Sequence, residues 1–144
     1  MVSGPRLGTT YFTMNQKIEP FDNLQVRKAV QMAIDRQVIL DTLYGGRGQL
    51  ENGIFPHGLI GFNPDMPEIK YDPEGAKALL AEAGYPNGFK TTISVREDYT
   101  KKIASIVQSE WKEIGVDAEI QVMERAALLS DIKAGKLDAI RLGM

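Results

Sequence analysis

Apolar positions recur along the chain at two spacings, and the points where one gives way to the other mark out its elements. Between Thr9 and Asn15, Tyr11 and Thr13 alternate with Phe12 and Met14, which predicts a strand with one face in a core. After Pro20-Phe21-Asp22-Asn23, residues Val26, Ala29, Val30, Ala33 and Ile34 keep the spacing of an amphipathic helix, with Asp22 or Asn23 as its cap. Asp35 is placed to cap a second, shorter helix through Val38, Ile39 and Leu43. Gly45-Gly46 ends it, because glycine enters the left-handed conformation without a Cβ penalty. From Arg47 to Lys70 breakers dominate, among them Gly53, Pro56, Gly58, Gly61 and Pro64, so residues 47–70 read as a long irregular crossing with room for one short strand.

Order returns at Asp72-Pro73, an N-cap followed by proline at the first helical position, where a missing N–H costs nothing. Ala76, Leu79, Leu80 and Ala83 form the inward face of that helix, Gly84 stops it, and Tyr85-Pro86-Asn87-Gly88 turns the chain. A strand around Thr91 to Val95 precedes a helix whose stripe is Ile103, Ile106, Val107, Trp111 and Ile114, closed by Gly115. Val116, Ala118, Ile120 and Val122 then alternate with Asp117, Glu119 and Gln121, the period of a half-buried strand. A last helix from Arg125 to Ala134 leads into a strand from Leu137 to Leu142. This β-α-β-α-β order favours right-handed crossovers and a mixed sheet flanked by helices, so the fold class is α/β, or α+β.

At 144 residues the chain is about one domain long, and a domain of that size buries roughly 68–70% of its unfolded surface, enough for a core without staples. Seventeen basic against nineteen acidic residues give a net charge of −2, which offers no broad footprint for phosphates and makes nucleic acid an unsuitable partner. The absence of cysteine excludes disulfides, thiolate nucleophiles and cysteine-bound metal centres. Met1-Val2-Ser3-Gly4 shows no charged region followed by an apolar one, so residues 1–8 are read as a linker or an artificial chain end, with any export signal cut away or never there. The chain also stops on a strand with no closing element after it, which suggests truncation.

Catalytic chemistry is searched for with little return. His57, the sole histidine, sits among Pro56 and Gly58, so a metal site or a Ser-His-Asp triad would have to form around this one imidazole, against the plainer reading of a solvated loop residue. Gly45-Gly46-Arg47-Gly48 looks like a phosphate loop but follows a helix and lacks the Lys-Ser/Thr ending. The acid pairs Glu97-Asp98 and Asp117/Glu119 have neither EF-hand spacing nor a placeable partner, which leaves solvated faces and helix caps. Trp111 is either a ligand platform or, by its place in the helical stripe, a core residue. Lys101-Lys102 reads as a solvated first turn. No metal site and no cofactor are implied, and the chain is not expected to be an enzyme.

Several strings, in this order and at these separations, resemble the family 5 extracellular solute-binding proteins. They begin with Leu7-Gly8-Thr9-Thr10-Tyr11-Phe12-Thr13-Met14-Asn15, Pro20-Phe21-Asp22-Asn23, Val26-Arg27-Lys28-Ala29 and Ala33-Ile34-Asp35-Arg36. They continue through Tyr71-Asp72-Pro73-Glu74, Ala76-Lys77, Leu79-Leu80, Glu82-Ala83-Gly84-Tyr85-Pro86, Gly88-Phe89, Trp111 and Ile114-Gly115-Val116. The physical reading makes most of these scaffold: caps, stops, and two arginines, Arg27 and Arg36, whose plain explanation is ion pairing or snorkelling.

The resemblance implies the substrate-binding component of an ABC importer, binding peptides, nickel chelates, sugars or opines between two lobes of a type II periplasmic-binding-protein-like fold, with permease subunits as partners. It implies chains roughly three times this length, of which residues 1–144 are a single partial lobe, the distal one, lacking its second lobe. In peptide binders of the family the strand matching Leu137 to Leu142 runs on to a tryptophan and an aspartate that pairs with the peptide amino group; here Met144 stands at the tryptophan position. The implied ligand contacts are Tyr11 and Thr13, on the strand face that meets the cleft, and Arg141, whose guanidinium fork suits a carboxylate. The implied location is extracellular or periplasmic, with a lipoprotein anchor in Gram-positive hosts. The rival readings are a partly buried strand aromatic for Tyr11, a sheet-end surface charge for Arg141, and a stand-alone interaction or regulatory domain for the whole chain. A sheet edge left open by truncation would favour a homo-oligomer.

Overall fold

A computed structural model describes residues 9–96, 99–137 and 140–143. The order is β1 (Tyr11–Met14), α1 (Leu24–Met32), α2 (Arg36–Tyr44), α3 (Pro73–Glu82), β2 (Lys90–Val95), α4 (Tyr99–Glu113), β3 (Asp117–Val122), α5 (Arg125–Lys133) and β4 (Ile140–Gly143). The pairing of elements with sequence patterns is close, and the reasons are local. Asn23, not Asp22, caps α1 by accepting from the Gln25 N–H at 2.8 Å. Asp35 accepts from the Gln37 and Val38 N–H groups at 3.0 and 3.1 Å, and Gly45 closes α2 at φ 60°. Asp72 caps α3 through the Gly75 N–H at 2.9 Å, with Pro73 at its start. Residues 47–70 contain neither helix nor strand, so the short strand that segment had room for does not form. The expectations for residues 1–8, Glu97-Asp98 and Met144 lie outside the described residues, as do Asp138 and Ala139 of the last strand.

The four strands form one mixed sheet in the order β1-β4-β2-β3. β1 is antiparallel to β4, while β2 runs parallel to both β3 and β4. The last strand is therefore interior, paired on both sides, and the open edges of the described sheet are β1 and β3. The path from β2 through α4 to β3 steps outward, and the path through α5 returns past β2 to β4. The two steps run in opposite directions, and the right-handed rule for such crossovers calls for α4 and α5 on opposite faces.

Register divides the sheet into an apolar and a polar face. Phe12 and Met14 share a face with Ile93, Val95, Ala118 and Ile120, and against it lie Ile103, Ala104, Val107 and Trp111 of α4. Helices α1 and α3 complete this core with Val26, Ala29, Val30, Ala76 and Leu80. Trp111 is a core residue: it is 1% exposed, its indole N–H donates to the Val30 carbonyl at 3.0 Å, and its ring centroid lies 6.2 Å from that of Phe12. Two stripes are less inward than their spacing suggests. Val38 of α2 and Leu129 of α5 are exposed, so these helices are held chiefly by Ile39 and Leu43 and by Leu128.

Candidate functional site

The opposite face of the sheet carries mostly polar residues at its strand positions. Thr13 of β1 lies opposite Arg141 of β4, Arg141 lies beside Ser94 of β2, and Ser94 lies beside Gln121 of β3. One row thus crosses all four strands. Tyr11 lies opposite Gly143 two positions further along β4, toward the carboxyl ends of the parallel strands. The alternation that set Tyr11 and Thr13 against Phe12 and Met14 arises because the antiparallel ladder turns successive side chains to opposite faces. Thr13 is exposed, Tyr11 is half-buried, and Ser94 is buried.

The register therefore brings the three expected ligand-contact positions to one sheet corner, with Ser94 and Gln121 continuing the row. It also places Arg96 two residues beyond Ser94, at the carboxyl end of β2 and just before α4. Sequence reading passed over Arg96. Its signal was a cation between a strand and a helix of a β-α-β unit, since ligands of open α/β sheets collect outside the carboxyl ends of the strands. A row of hydroxyl, amide and guanidinium groups can hydrogen-bond carboxylate and amide oxygens, and it contains no nucleophile and base within reach of each other.

Other candidates resolve into structure. His57 pairs through Nδ1 with both Glu51 oxygens, at 3.0 and 3.1 Å, and stacks on Phe62 with centroids 3.9 Å apart. The hydrogen bond from His57 holds the Glu51 carboxylate below its usual range. Asp117 and Glu119 are exposed on the polar face of β3 and, with Glu19, Lys90 and Thr92, line a hollow of about 460 Å³. That hollow lies at the amino ends of β2 and β3, away from Tyr11, Thr13 and Arg141. Lys101 and Lys102 are exposed in the first turn of α4, as expected. Arg27 donates to the Phe21 and Asp22 carbonyls at 2.7 and 3.0 Å, so loop tethering is its role rather than the expected ion pairing or snorkelling. Glu110, half-buried where α4 meets α2, accepts from the Asp35 N–H at 3.2 Å; desolvation, opposed by that bond and reinforced by the charges of Asp35 and Glu113, pushes its carboxyl up to about 7.

The sequence profile of "Bacterial extracellular solute-binding proteins, family 5 Middle" matches residues 1–144. "Heme-binding protein A" of Haemophilus influenzae is 35% identical over 139 residues, covering 92% of this chain and 25% of its own. The "Dipeptide-binding protein" of Escherichia coli K12 is 32% identical over 145 residues, covering 96% of this chain and 27% of its own. Among solved structures, the periplasmic binding protein DppA from Helicobacter pylori in complex with the peptide STSA superimposes with a TM-score of 0.88 at 33% identity, over 93% of this chain and 26% of that one. The chain spans about a quarter of the length of the curated relatives it matches, so they are nearer four than three times as long.

Proposed function

The chain belongs to the bacterial extracellular solute-binding proteins of family 5, and from that membership we propose that it forms part of one lobe of the solute-binding component of an ABC importer. A peptide or related small solute lies against the polar sheet face, held between this lobe and a second one, and is delivered unchanged to permease subunits. The observation that carries the proposal is the family match along all 144 residues. It is supported by a sheet whose apolar face is filled from within the chain while its other face offers Thr13, Tyr11 and the Arg141 position in one corner.

In this reading Thr13 and Tyr11 supply hydroxyl contacts, and the guanidinium of Arg141 meets a solute carboxylate. Binding without catalysis is part of the proposal; the relatives reported above are named as binding proteins. So is a location outside the cytoplasmic membrane, with lipid anchoring of the whole protein in Gram-positive hosts. Among the described residues no helix is long and apolar enough to cross a membrane.

Titration calorimetry of a mixed di- to pentapeptide library into this chain and into the family-length protein that carries its sequence tests the proposal. The longer protein is expected to bind and the chain alone to bind weakly or not at all, because half a cleft supplies half the contacts and cannot exclude water. Micromolar binding by the chain alone would refute the two-lobe reading. Silence from the longer protein would refute peptides as its solute.

A further inference from the structure

The segment between α2 and α3 has no regular structure, yet it is tied down at both feet by one side chain. Arg36, at the start of α2, donates through Nη1 to the Glu51 carbonyl at 2.7 Å and through Nη2 to Asn52 Oδ1 at 3.3 Å and the Ile69 carbonyl at 3.4 Å. Glu68 lies 3.9 Å from the same guanidinium. Residues 51–52 and 68–69 are thereby held together, and the chain between them packs on itself in the manner of an Ω-loop. Glu51 accepts from the His57 N–H at 3.3 Å as well as meeting its ring, while Leu59 and Phe62 donate their N–H groups to the Pro56 and Leu59 carbonyls at 3.2 and 3.1 Å. Gly61, at φ 100°, lies so close to Phe55 that an added Cβ would stand 3.5 Å from the ring.

The middle of this preformed loop turns large apolar side chains outward. Eight of the thirteen exposed large hydrophobic side chains among the described residues lie between 50 and 71, and four of them, Leu50, Ile54, Phe55 and Met66, line one hollow. At its crest Ile54 is 65% exposed, Phe55 47%, Leu59 38% and Ile60 fully exposed. Residues 53–64 contain no Asp, Glu, Lys or Arg. An uncharged stretch that exposes this much apolar side chain marks a contact surface, and because Arg36 already holds its shape, covering it costs little ordering.

We propose that the crest from Ile54 to Ile60 is a buried contact with the remainder of the family-length polypeptide, against an uncharged apolar surface of that same chain. This rests on the reading of the chain as part of a longer binding protein, and it adds the place where the two parts join. The relatives supply the argument for the occupant: about three quarters of their length lies beyond the matched region. The crest has no charged group with which to select a polar solute or an anionic surface.

The test is carbene footprinting and amide hydrogen exchange on this chain, over a range of concentrations, and on the family-length protein that carries its sequence. Labelling of Ile54, Phe55 and Ile60 is expected to fall about ten-fold in the longer protein, with slower exchange across residues 54–60. Equal labelling in a longer protein that binds its solute would overturn this inference and leave the proposed function standing. Protection that appears in the 144-residue chain as its concentration rises would assign the crest to a second copy and overturn it as well. A native chain shown by mass to be no longer than 144 residues would remove both readings together.

Discussion

Replacing Trp111 with phenylalanine probes the joint between α4 and α1, and its cost can be worked from two contacts. The first is the indole N–H bond to the Val30 carbonyl at 3.0 Å. Val30 lies in the last turn of α1, where carbonyls run out of helical partners, and at 1% exposure water has no access to it. Leaving such an acceptor unpaired costs about 1–3 kcal/mol. The second is the packing of the larger ring system against Phe12 and the core, whose partial loss adds about 1 kcal/mol. The sum, about 3 kcal/mol, is a large fraction of the roughly 5–15 kcal/mol that holds a domain folded. With a urea slope of about 2 kcal/mol per molar, the unfolding midpoint should drop by about 1.5 M. Far-UV circular dichroism is the suitable probe, because the substitution removes the only tryptophan. Phe12→Leu serves as the comparison: it disturbs the same packing but breaks no hydrogen bond, and should cost about 1 kcal/mol. If Trp111→Phe costs no more than Phe12→Leu, the indole bond does not hold the helices together and the reasoning fails.

Two further outcomes follow from single contacts. Gly88 has φ 73°, and a Cβ there would collide with the Gly115 carbonyl, whereas Gly84 at φ 95° has nothing within 4 Å of the same added atom. Gly88→Ala should therefore cost about 3 kcal/mol in urea unfolding and Gly84→Ala about 1 kcal/mol; equal costs would show that the two turns yield freely. The Glu110 carboxyl is raised from 4.5 to about 7 in the fold, so between those values the folded state holds more protons than the unfolded chain. Stability from this group should thus fall as pH rises through that window, by roughly 1 kcal/mol once its half-exposed setting is discounted. Glu110→Gln should flatten that slope in paired melts at pH 5 and pH 8, and an unchanged slope would contradict the assignment.

The elements were legible where their causes are local. Asn23, Asp35 and Asp72 cap helices through N–H groups two or three residues away, and Gly45 ends α2 one residue past Tyr44, so short stretches of sequence carry those boundaries. The core stripe of α4 was legible for the same reason, since its spacing selects the buried Ile103, Val107, Trp111 and Ile114, although Ile106 of the same stripe is only half-buried. Contacts made across long separations were not. Arg36 reaches carbonyls fifteen and thirty-three residues away, and Glu110 meets Asp35 across seventy-five; neither leaves a trace in its own neighbourhood. Arg36 keeps an ion pair with Glu68 at 3.9 Å, yet its shorter bonds go to the loop backbone. The faces of β1 were legible from alternation, but the row joining Thr13 to Gln121 needed the pairing of four strands, and a slip of one residue would have turned every member away.

The same division explains why the family was readable and the solute was not. The matched strings hold the caps, glycine stops and core positions that shape this fold, and relatives named for heme and for dipeptides match this chain at 35% and 32% identity over nearly the same span. Overall identity along this segment therefore does not sort one solute from another. On the proposed function, selectivity comes from positions whose replacement leaves the core undisturbed. Thr13 and Gln121 are such positions, exposed on the face of the sheet that α4 does not cover. Phe12 and Met14, one step away on the same strand, are not, because they pack against the core beneath. A strand with one face committed to packing and the other free to vary can keep a fold while changing its ligand, and β1 has that form.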